Sequence, residues 1–353
     1  RNGRYIDIVQ SFQSKLYDNS FYRLSASIEG IIDDDSHSLL PVIISKYKQG
    51  NYDNYCIDNY IRRCGWQNGW KGILSITEEM LNEEIDEEVV FPYFTNGVLL
   101  NNVKSISDDN ILSQIERIVL SYSFEGKTFN TAHQVVELMS DILEIHNRPD
   151  FALQVHNKIV SVLSSNKITI HNPFDKIYEI LLPKYQNSIL EHLLEDIAAE
   201  DHRMKYYWEI HYSLGSGFGY GVGPLFKCDY EFLKQACIKY QKTLLERMAD
   251  MCPVIEVGKR PQDTFFWWLC DNFGDREDML RGFSGNMGTY SYSGPASASF
   301  ADCIASREDI LSPYLQHPQK TVQEWAQRQI NSLRKEVQYE RDNEEYSKMI
   351  RGK

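Results

Sequence analysis

Apolar residues recur with the period of an α-helix along most of this chain. In the segment 107–122 they fall at 111, 112, 115, 118 and 119, which lie on one face of a helix. The same spacing continues through further segments, which are 131–145, 174–198, 229–248, 306–318 and 320–337. Patterns typical of strands are short and isolated, at 167–171 and 289–293. The sequence therefore predicts an all-α fold.

Short amphipathic helices that recur in pairs, at intervals of roughly 35–45 residues, are typical of HEAT-like repeat arrays. We therefore predict a degenerate HEAT/TPR-like helix-pair solenoid, with residues 1–200 as N-terminal helical repeats and 201–353 as C-terminal HEAT-like repeats. Two stretches interrupt the helical pattern, 213–226 and 283–300, and both are predicted to be irregular loop insertions. A compact pair of all-α domains is the alternative architecture.

Several residues mark where helices are expected to start or bend. Thr131 and Thr321 each stand three residues before a Gln or Glu, which is the spacing of a capping box, so both are predicted N-caps. Asp229 precedes another helical segment and is a third predicted N-cap. Pro183 is expected to break or kink the helix that contains it, because proline lacks the donor for the helical hydrogen bond.

The segment 213–226 raises the question of a phosphate-binding loop, because it carries glycine on alternate positions. These are Gly215, Gly217, Gly219, Gly221 and Gly223. The segment matches neither GxxxxGK[ST] nor GxGxxG, and no Ser or Thr follows Lys227. We predict no cofactor here. We interpret the segment as a loop between helices that exposes Phe218 and Tyr220 for protein contacts.

The charge balance restricts the partners. The chain has 37 Lys and Arg against 50 Asp and Glu, a formal net charge of −13. This balance argues against binding to nucleic acid and to anionic membrane surfaces. The cysteines contain no Cys-x-x-Cys pair and no apolar run reaches the length of a membrane span, so we predict free thiols and a cytoplasmic protein.

One strongly acidic segment, 77–90, carries seven carboxylates. Such a run is typical of the solvated face of a helix, and this is our prediction. The alternative is a docking surface for a basic partner.

The sequence carries none of the common catalytic motifs. No histidine begins an HExxH, and the serine-containing segments 290–297 and 305–309 carry neither a GxSxG elbow nor an SxxK motif. His202 and His211 lie nine residues apart in an acidic region, and we interpret them as polar helix positions that are neither catalytic nor metal ligands. The alternative is an unrecognised enzyme that uses the glycine-rich loop or this histidine region.

Aromatic side chains are the remaining signal. Most of them are predicted to fill the core between paired helices, whereas a minority are expected on a recognition surface, since Trp and Tyr dominate binding hot spots. The predicted protein-binding residues are Phe218, Tyr220, Trp208, Tyr290 and Tyr292.

Residues 213–337 also carry a family resemblance. The pieces are an aspartate-rich turn, CDNFGDRED (270–278), a small-residue segment that ends in SYSG (291–294), and LSPYLQHPQKTVQEWAQRQI (311–330). Together they resemble the C-terminal α-solenoid of bacterial STAND-type NTPases of the Avs-like, NLR-like anti-phage defence class.

The resemblance implies a sensor that binds an invader protein, with a phage protein as the candidate partner. It also implies that an NTPase and effector precede this region and mediate oligomerisation, and the first residue, Arg1, leads us to expect such a fragment. No binding residue is transferred, because the family's contacts follow no fixed motif. A general HEAT-like adaptor or scaffold is the alternative function.

Overall fold

The apolar periodicity is realised as helices. The computed structural model describes residues 40–50, 69–100, 103–165, 173–174, 176–215, 222–256, 258–289 and 299–351. Within those ranges all the regular secondary structure is helical and no strand occurs. The predicted all-α fold is confirmed. The expected strand-like segment at 167–171 lies outside the described residues.

The first half of the described chain contains helices α1 to α6. They are α1 (Leu40–Lys48), α2 (69–82), α3 (Glu87–Leu100), α4 (Asp109–Ser121), α5 (Phe129–Ile145) and α6 (Pro149–Ser164). The second half contains α7 (Tyr178–Ala198), α8 (Arg203–Leu214), α9 (Tyr230–Met251), α10 (Phe265–Phe273), α11 (Glu277–Thr289), α12 (Phe300–Ala305), α13 (Arg307–Leu311) and α14 (Lys320–Arg351).

These helices belong to two units, each with its own buried core. Unit 1 contains the described residues up to 162 together with 173–174, and unit 2 contains 163–165 and the described residues from 176 onwards. The sequence-based division at residue 200 falls inside unit 2.

In unit 1, α5 packs against α3 and α4. Its buried face carries the predicted apolar residues, and their burial supplies the main driving force for folding of this unit. They include Val135, Val136, Met139, Ile142 and Leu143. An aromatic series continues the core, with the ring of Tyr122 centred 4.6 Å from Phe91 and 4.7 Å from Phe124.

The acidic segment 77–90 is not one solvated helix face, so that prediction is wrong. Helix α2 ends in a Schellman turn, in which the Ile85 N–H donates to Met80 O (3.0 Å) and Glu84 takes a positive φ of 55°. The chain then starts α3 at Glu87. Glu88 turns inward, where its carboxylate accepts hydrogen bonds from the hydroxyls of Tyr122, Thr128 and Thr131, at 3.0, 2.6 and 3.0 Å.

The predicted helix ends are only partly correct. Asp229 caps α9 as predicted, because its side chain accepts from the Glu231 N–H. The two capping boxes are wrong. Thr128, and not Thr131, caps α5, while α14 begins before Thr321, whose hydroxyl donates to the Gly274 carbonyl at 2.7 Å. Both threonines therefore join neighbouring elements instead of starting a helix.

In unit 2 two long helices bend. Pro183 interrupts α7 as predicted, and Tyr185 just beyond it has non-helical dihedrals (φ −124°, ψ 20°). Helix α9 bends at Gln241 (φ 26°, ψ −102°), where no proline or glycine marks a bend. Helix α9 also packs against α7 and α11.

Helices α9 and α11 approach each other closely at Gly282. A Cβ at this position would overlap the backbone carbonyl oxygen of Glu246. Residues 283–289 form the last two turns of α11, so the irregular stretch predicted at 283–300 does not begin before Thr289. The short helix α12 begins again at Phe300.

The aromatic run 265–268 lies in the core, as predicted for most aromatic residues. The rings of Phe266 and Phe283 stack with centroids 3.5 Å apart, and Trp325 and Tyr314 close the cluster around Phe266 at 5.7 and 5.5 Å. The cluster joins α10, α11 and α14. Helix α14 contributes Trp325, which lies on its apolar face.

The buried side chain of His317 is expected to make unit 2 sensitive to acid. Its Nδ1 accepts from the Gln319 N–H (3.1 Å), and Nε2 faces Asp271 Oδ1 at 3.1 Å without good hydrogen-bond alignment. Burial lowers the pKa of His317, and the nearby Asp271 carboxylate only partly offsets this. Because the folded pKa lies below the unfolded value of 6.5, stability is present above pH 6.5 and is lost as the pH falls through and below it.

We therefore expect the free energy of unfolding to fall on acidification below the ordinary histidine pKa of 6.5. In His317→Asn this pH dependence should be smaller, although the variant is less stable overall. Urea unfolding at a series of pH values measures how steeply the free energy of unfolding changes with pH in the wild type and in the variant. Equal slopes in the two proteins would show that other groups dominate.

The described cysteines are Cys228, Cys237, Cys252, Cys270 and Cys303, and they are all free thiols. Burial raises the pKa of Cys228 to about 11 and that of Cys237 to about 12. Such thiols are poor nucleophiles near neutral pH. Among the described helices, none combines the length and the apolar character that crossing a membrane requires.

Candidate functional site

A cleft in unit 2 lies among the start of α8, the second half of α9 and α11. Its volume is about 500 Å³. The lining residues are Glu200, Met204, Tyr207, Trp208, Lys242, Thr243, Glu246, Arg247, Asp250, Asp278, Arg281, Gly282 and Gly285. The cleft is therefore apolar on the α8 side, open at the glycines of α11 and charged at its margins.

Helix α8 supplies the apolar side. Met204, Trp208 and Tyr212 recur every four residues, so they lie on one face of the helix, and all three are exposed, by 42, 58 and 48%. The opposite face, which includes Tyr206 and Ile210, is fully buried. A row of large apolar side chains left in solvent is a feature of surfaces that bind other proteins.

Arg247 lines the cleft and connects α9 to the end of α7 and to Tyr207 of α8. Its Nη1 donates to the carbonyl oxygens of Ile197 and Ala199, the latter at 2.7 Å, and its guanidinium lies 4.8 Å from the ring centroid of Tyr207. The carbonyls at the C-terminal end of α7 thus receive donors from a cation, which also favours the negative end of the helix dipole. Burial lowers the pKa of Arg247, although arginine stays charged at any physiological pH.

Tyr207 connects this arginine to a carboxylate. Its hydroxyl donates to Asp250 Oδ2 at 2.6 Å. Burial and the adjacent Asp250 raise the pKa of Tyr207 far above its ordinary value, so the hydroxyl remains a donor. Asp250 is half-buried, and no described residue donates a hydrogen bond to its Oδ1.

The charged margin of the cleft consists of pairs. Lys242 lies 3.2 Å from Glu200, and Thr243 donates to the same carboxylate at 2.6 Å. Arg281 donates to Glu246 at 3.0 Å. The hydrogen bonds from Thr243 and Lys242 hold the pKa of the Glu200 carboxyl below its usual range. Such exposed pairs contribute little stability.

Of the five predicted protein-binding residues, the structure describes Trp208, which lines the cleft. Phe218, Tyr220, Tyr290 and Tyr292 lie outside the described residues. They stay predictions.

The described ends of the glycine-rich segment meet. A Cβ at Gly223 would overlap the carbonyl oxygens of Leu214 and Gly215, and a Cβ at Gly215 would lie 2.7 Å from the Met251 carbonyl oxygen. Glycine is required at these two positions because backbone approaches backbone. This close approach gives them a structural role that needs no phosphate.

His202 and His211, which lie nine residues apart in the sequence, do not come together in one site. His202 is exposed, whereas His211 is buried and its Nδ1 lies 2.8 Å from the Trp208 carbonyl oxygen. Within the described part of the chain, no group of three or more His, Cys, Asp or Glu side chains is arranged to hold a metal ion. His211 instead contacts the base of Trp208, with ring centroids 5.5 Å apart.

A larger hollow of about 730 Å³ lies in unit 1 beside Arg148 and Glu116. Its main charges satisfy each other, because Arg148 binds the Glu116 carboxylate through two nitrogens at 2.6 and 2.8 Å. The unit 2 cleft is the better candidate because it exposes an aromatic side chain.

Comparison with protein-family models, with curated proteins and with solved structures gives no significant match for this chain.

Proposed function

We propose that this chain is a non-catalytic protein-recognition module and that its partner binds at the unit 2 cleft. The observation that supports this most directly is the exposed Trp208, which stands between Met204 and Tyr212 on one face of α8 and lines a cleft of about 500 Å³. Aromatic anchors that fill or border such hollows dominate protein–protein binding energy. Helix α8 packs against α7 and α9, which support this face.

We further propose that the partner is an invader protein and that the chain is the sensor solenoid of a bacterial anti-phage NTPase. Two features of the sequence support this proposal: the resemblance of residues 213–337 to the C-terminal solenoid of STAND-type NTPases, and the recurrence of amphipathic helices in pairs. A general HEAT-like adaptor is the alternative. A Walker motif encoded upstream in the same protein would favour the sensor, whereas its absence there would favour the adaptor.

Replacing Trp208 by alanine should weaken binding to the partner at least about tenfold, which is the behaviour of a hot-spot residue. The free energy of unfolding should change by less than about 0.5 kcal/mol, because the side chain is on the surface. Purified phage proteins, expressed one at a time and tested against the immobilised chain, provide the measurement. Calorimetry then gives the affinity of each retained protein.

Tyr339→Ala is the matched control, since Tyr339 is an equally exposed aromatic residue (63%) on α14 that does not line the cleft. It should bind like the wild type. A partner that Trp208→Ala retains at full affinity would exclude this cleft as the binding site, and a chain that retains no phage protein would contradict the sensor function.

A further inference from the structure

The cleft carries a more specific chemical signature than an apolar docking face. We propose that it receives an arginine side chain of the partner, with the guanidinium stacked on Trp208 and hydrogen-bonded to Asp250. This inference rests on the proposed protein-recognition function and specifies the group that the cleft recognises.

The first support is the aromatic wall. Trp208 is 58% exposed, and its ring meets Tyr207 edge-on with centroids 5.1 Å apart. The neighbouring Tyr207 ring already carries a guanidinium, that of Arg247, at 4.8 Å from its centroid. No cation of the described chain occupies the equivalent position over Trp208. Tryptophan is the strongest aromatic acceptor for a cation, and a planar guanidinium stacks on it better than an ammonium group.

The second support is the carboxylate of Asp250, which lines the same cleft. Tyr207 occupies Oδ2, and Oδ1 receives no hydrogen bond from a described residue. Across from it is Gly285, where a Cβ would lie 3.7 Å from Oδ1, in ordinary van der Waals contact. The missing side chain of Gly285 leaves space beside a partly buried acceptor. A guanidinium would supply the donors that this acceptor lacks, in a charge-assisted bond.

The third support is the charge of the surroundings. The basic residues that line the cleft are already bound, Lys242 to Glu200, Arg281 to Glu246 and Arg247 to backbone carbonyls. These three cations therefore already have partners within the chain. The chain as a whole has a net charge of −13, which draws a basic partner and repels an acidic one. An arginine is the side chain that combines a stacking plane, positive charge and several donors.

The test uses the whole chain and two small probes, N-acetyl-arginine methylamide and its neutral isostere N-acetyl-citrulline methylamide. Titrations follow the Trp208 indole N–H resonance, which Trp208→Phe identifies. We expect the arginine probe to shift this resonance and the citrulline probe to shift it much less. Asp250→Asn, which keeps an oxygen for the Tyr207 hydroxyl, should weaken arginine binding at least about tenfold.

Asp342→Asn is the charge control, because it removes the same charge from the exposed surface of α14, outside the cleft. It should leave arginine binding within about twofold, since salt screens distant surface charges. Equal shifts with both probes, no shift with arginine, or unchanged affinity in Asp250→Asn would each overturn the arginine assignment. The proposed function would still stand if phage-protein capture depends on Trp208. Conversely, arginine binding without any captured protein would retain the cleft chemistry and refute the function.

Discussion

Replacing Gly282 by alanine is expected to destabilise unit 2 by about 2–3 kcal/mol, the upper part of the range for overpacked sites. The new Cβ would overlap the Glu246 carbonyl oxygen, which belongs to the backbone of α9 and cannot rotate away. Helices α9 and α11 would have to separate, and the cleft between them would change shape. Chemical denaturation with circular dichroism measures the loss.

Gly285→Ala is the matched control on the same helix, one turn further along. Its Cβ would meet only Asp250 Oδ1, at 3.7 Å, and the residue is exposed. Here alanine should stabilise by about 0.5–1 kcal/mol, because it removes the conformational freedom of a helical glycine. Two glycines three residues apart are thus expected to respond with opposite sign. A stable Gly282→Ala protein would show that α9 and α11 are not in close contact.

Replacing Glu88 by alanine is expected to destabilise unit 1 by about 3 kcal/mol, since several hydrogen bonds to a charged acceptor are lost together. The carboxylate accepts from three hydroxyls and from the Thr128 N–H at 3.2 Å, and thereby joins α3 to the start of α5. Its removal leaves the fully buried Tyr122 without an acceptor for its hydroxyl. Thermal and urea unfolding of the purified variant give the magnitude.

Glu83→Ala provides the comparison within the same acidic segment. Glu83 forms an exposed ion pair with Lys48 at 2.8 Å, and such pairs contribute about 0–1 kcal/mol. The two glutamates carry the same charge and lie five positions apart, so net charge cannot explain a difference between them. If both variants lose the same stability, the network around Glu88 has no special role.

Much of the fold follows from local sequence, because helix periodicity is set by neighbours along the chain. The buried face of α5 and the bend after Pro183 could both be predicted for this reason. The prediction of capping boxes at Thr131 and Thr321 was wrong because motif spacing does not show which acceptors from other parts of the chain bind the threonine hydroxyls. In the structure Glu88 and the Gly274 carbonyl take these hydroxyls, and both belong to other parts of the chain.

The cleft was much harder to predict. Trp208 stands out in the sequence as part of an aromatic cluster, whereas Arg247 and Asp250 look like ordinary polar positions on an amphipathic helix. Their hydrogen-bond partners come from other elements that pack against α9: the end of α7 accepts from Arg247, and Tyr207 of α8 donates to Asp250. Gly282 and Gly285 lie within α11 although glycine has a low helix propensity, because tertiary packing overrides that propensity here.

The bend at Gln241 has a consequence for how the cleft is maintained. A non-glycine residue at φ 26° costs conformational energy, so the local chain prefers a straighter helix than the one it forms. Lys242 and Thr243, which hold Glu200 at the rim, follow directly after this bend. The packing of both halves of α9 against their neighbours therefore offsets the conformational cost at Gln241 and keeps the rim residues in place. A substitution that weakens this packing is therefore expected to alter the rim of the cleft as well as the stability of unit 2.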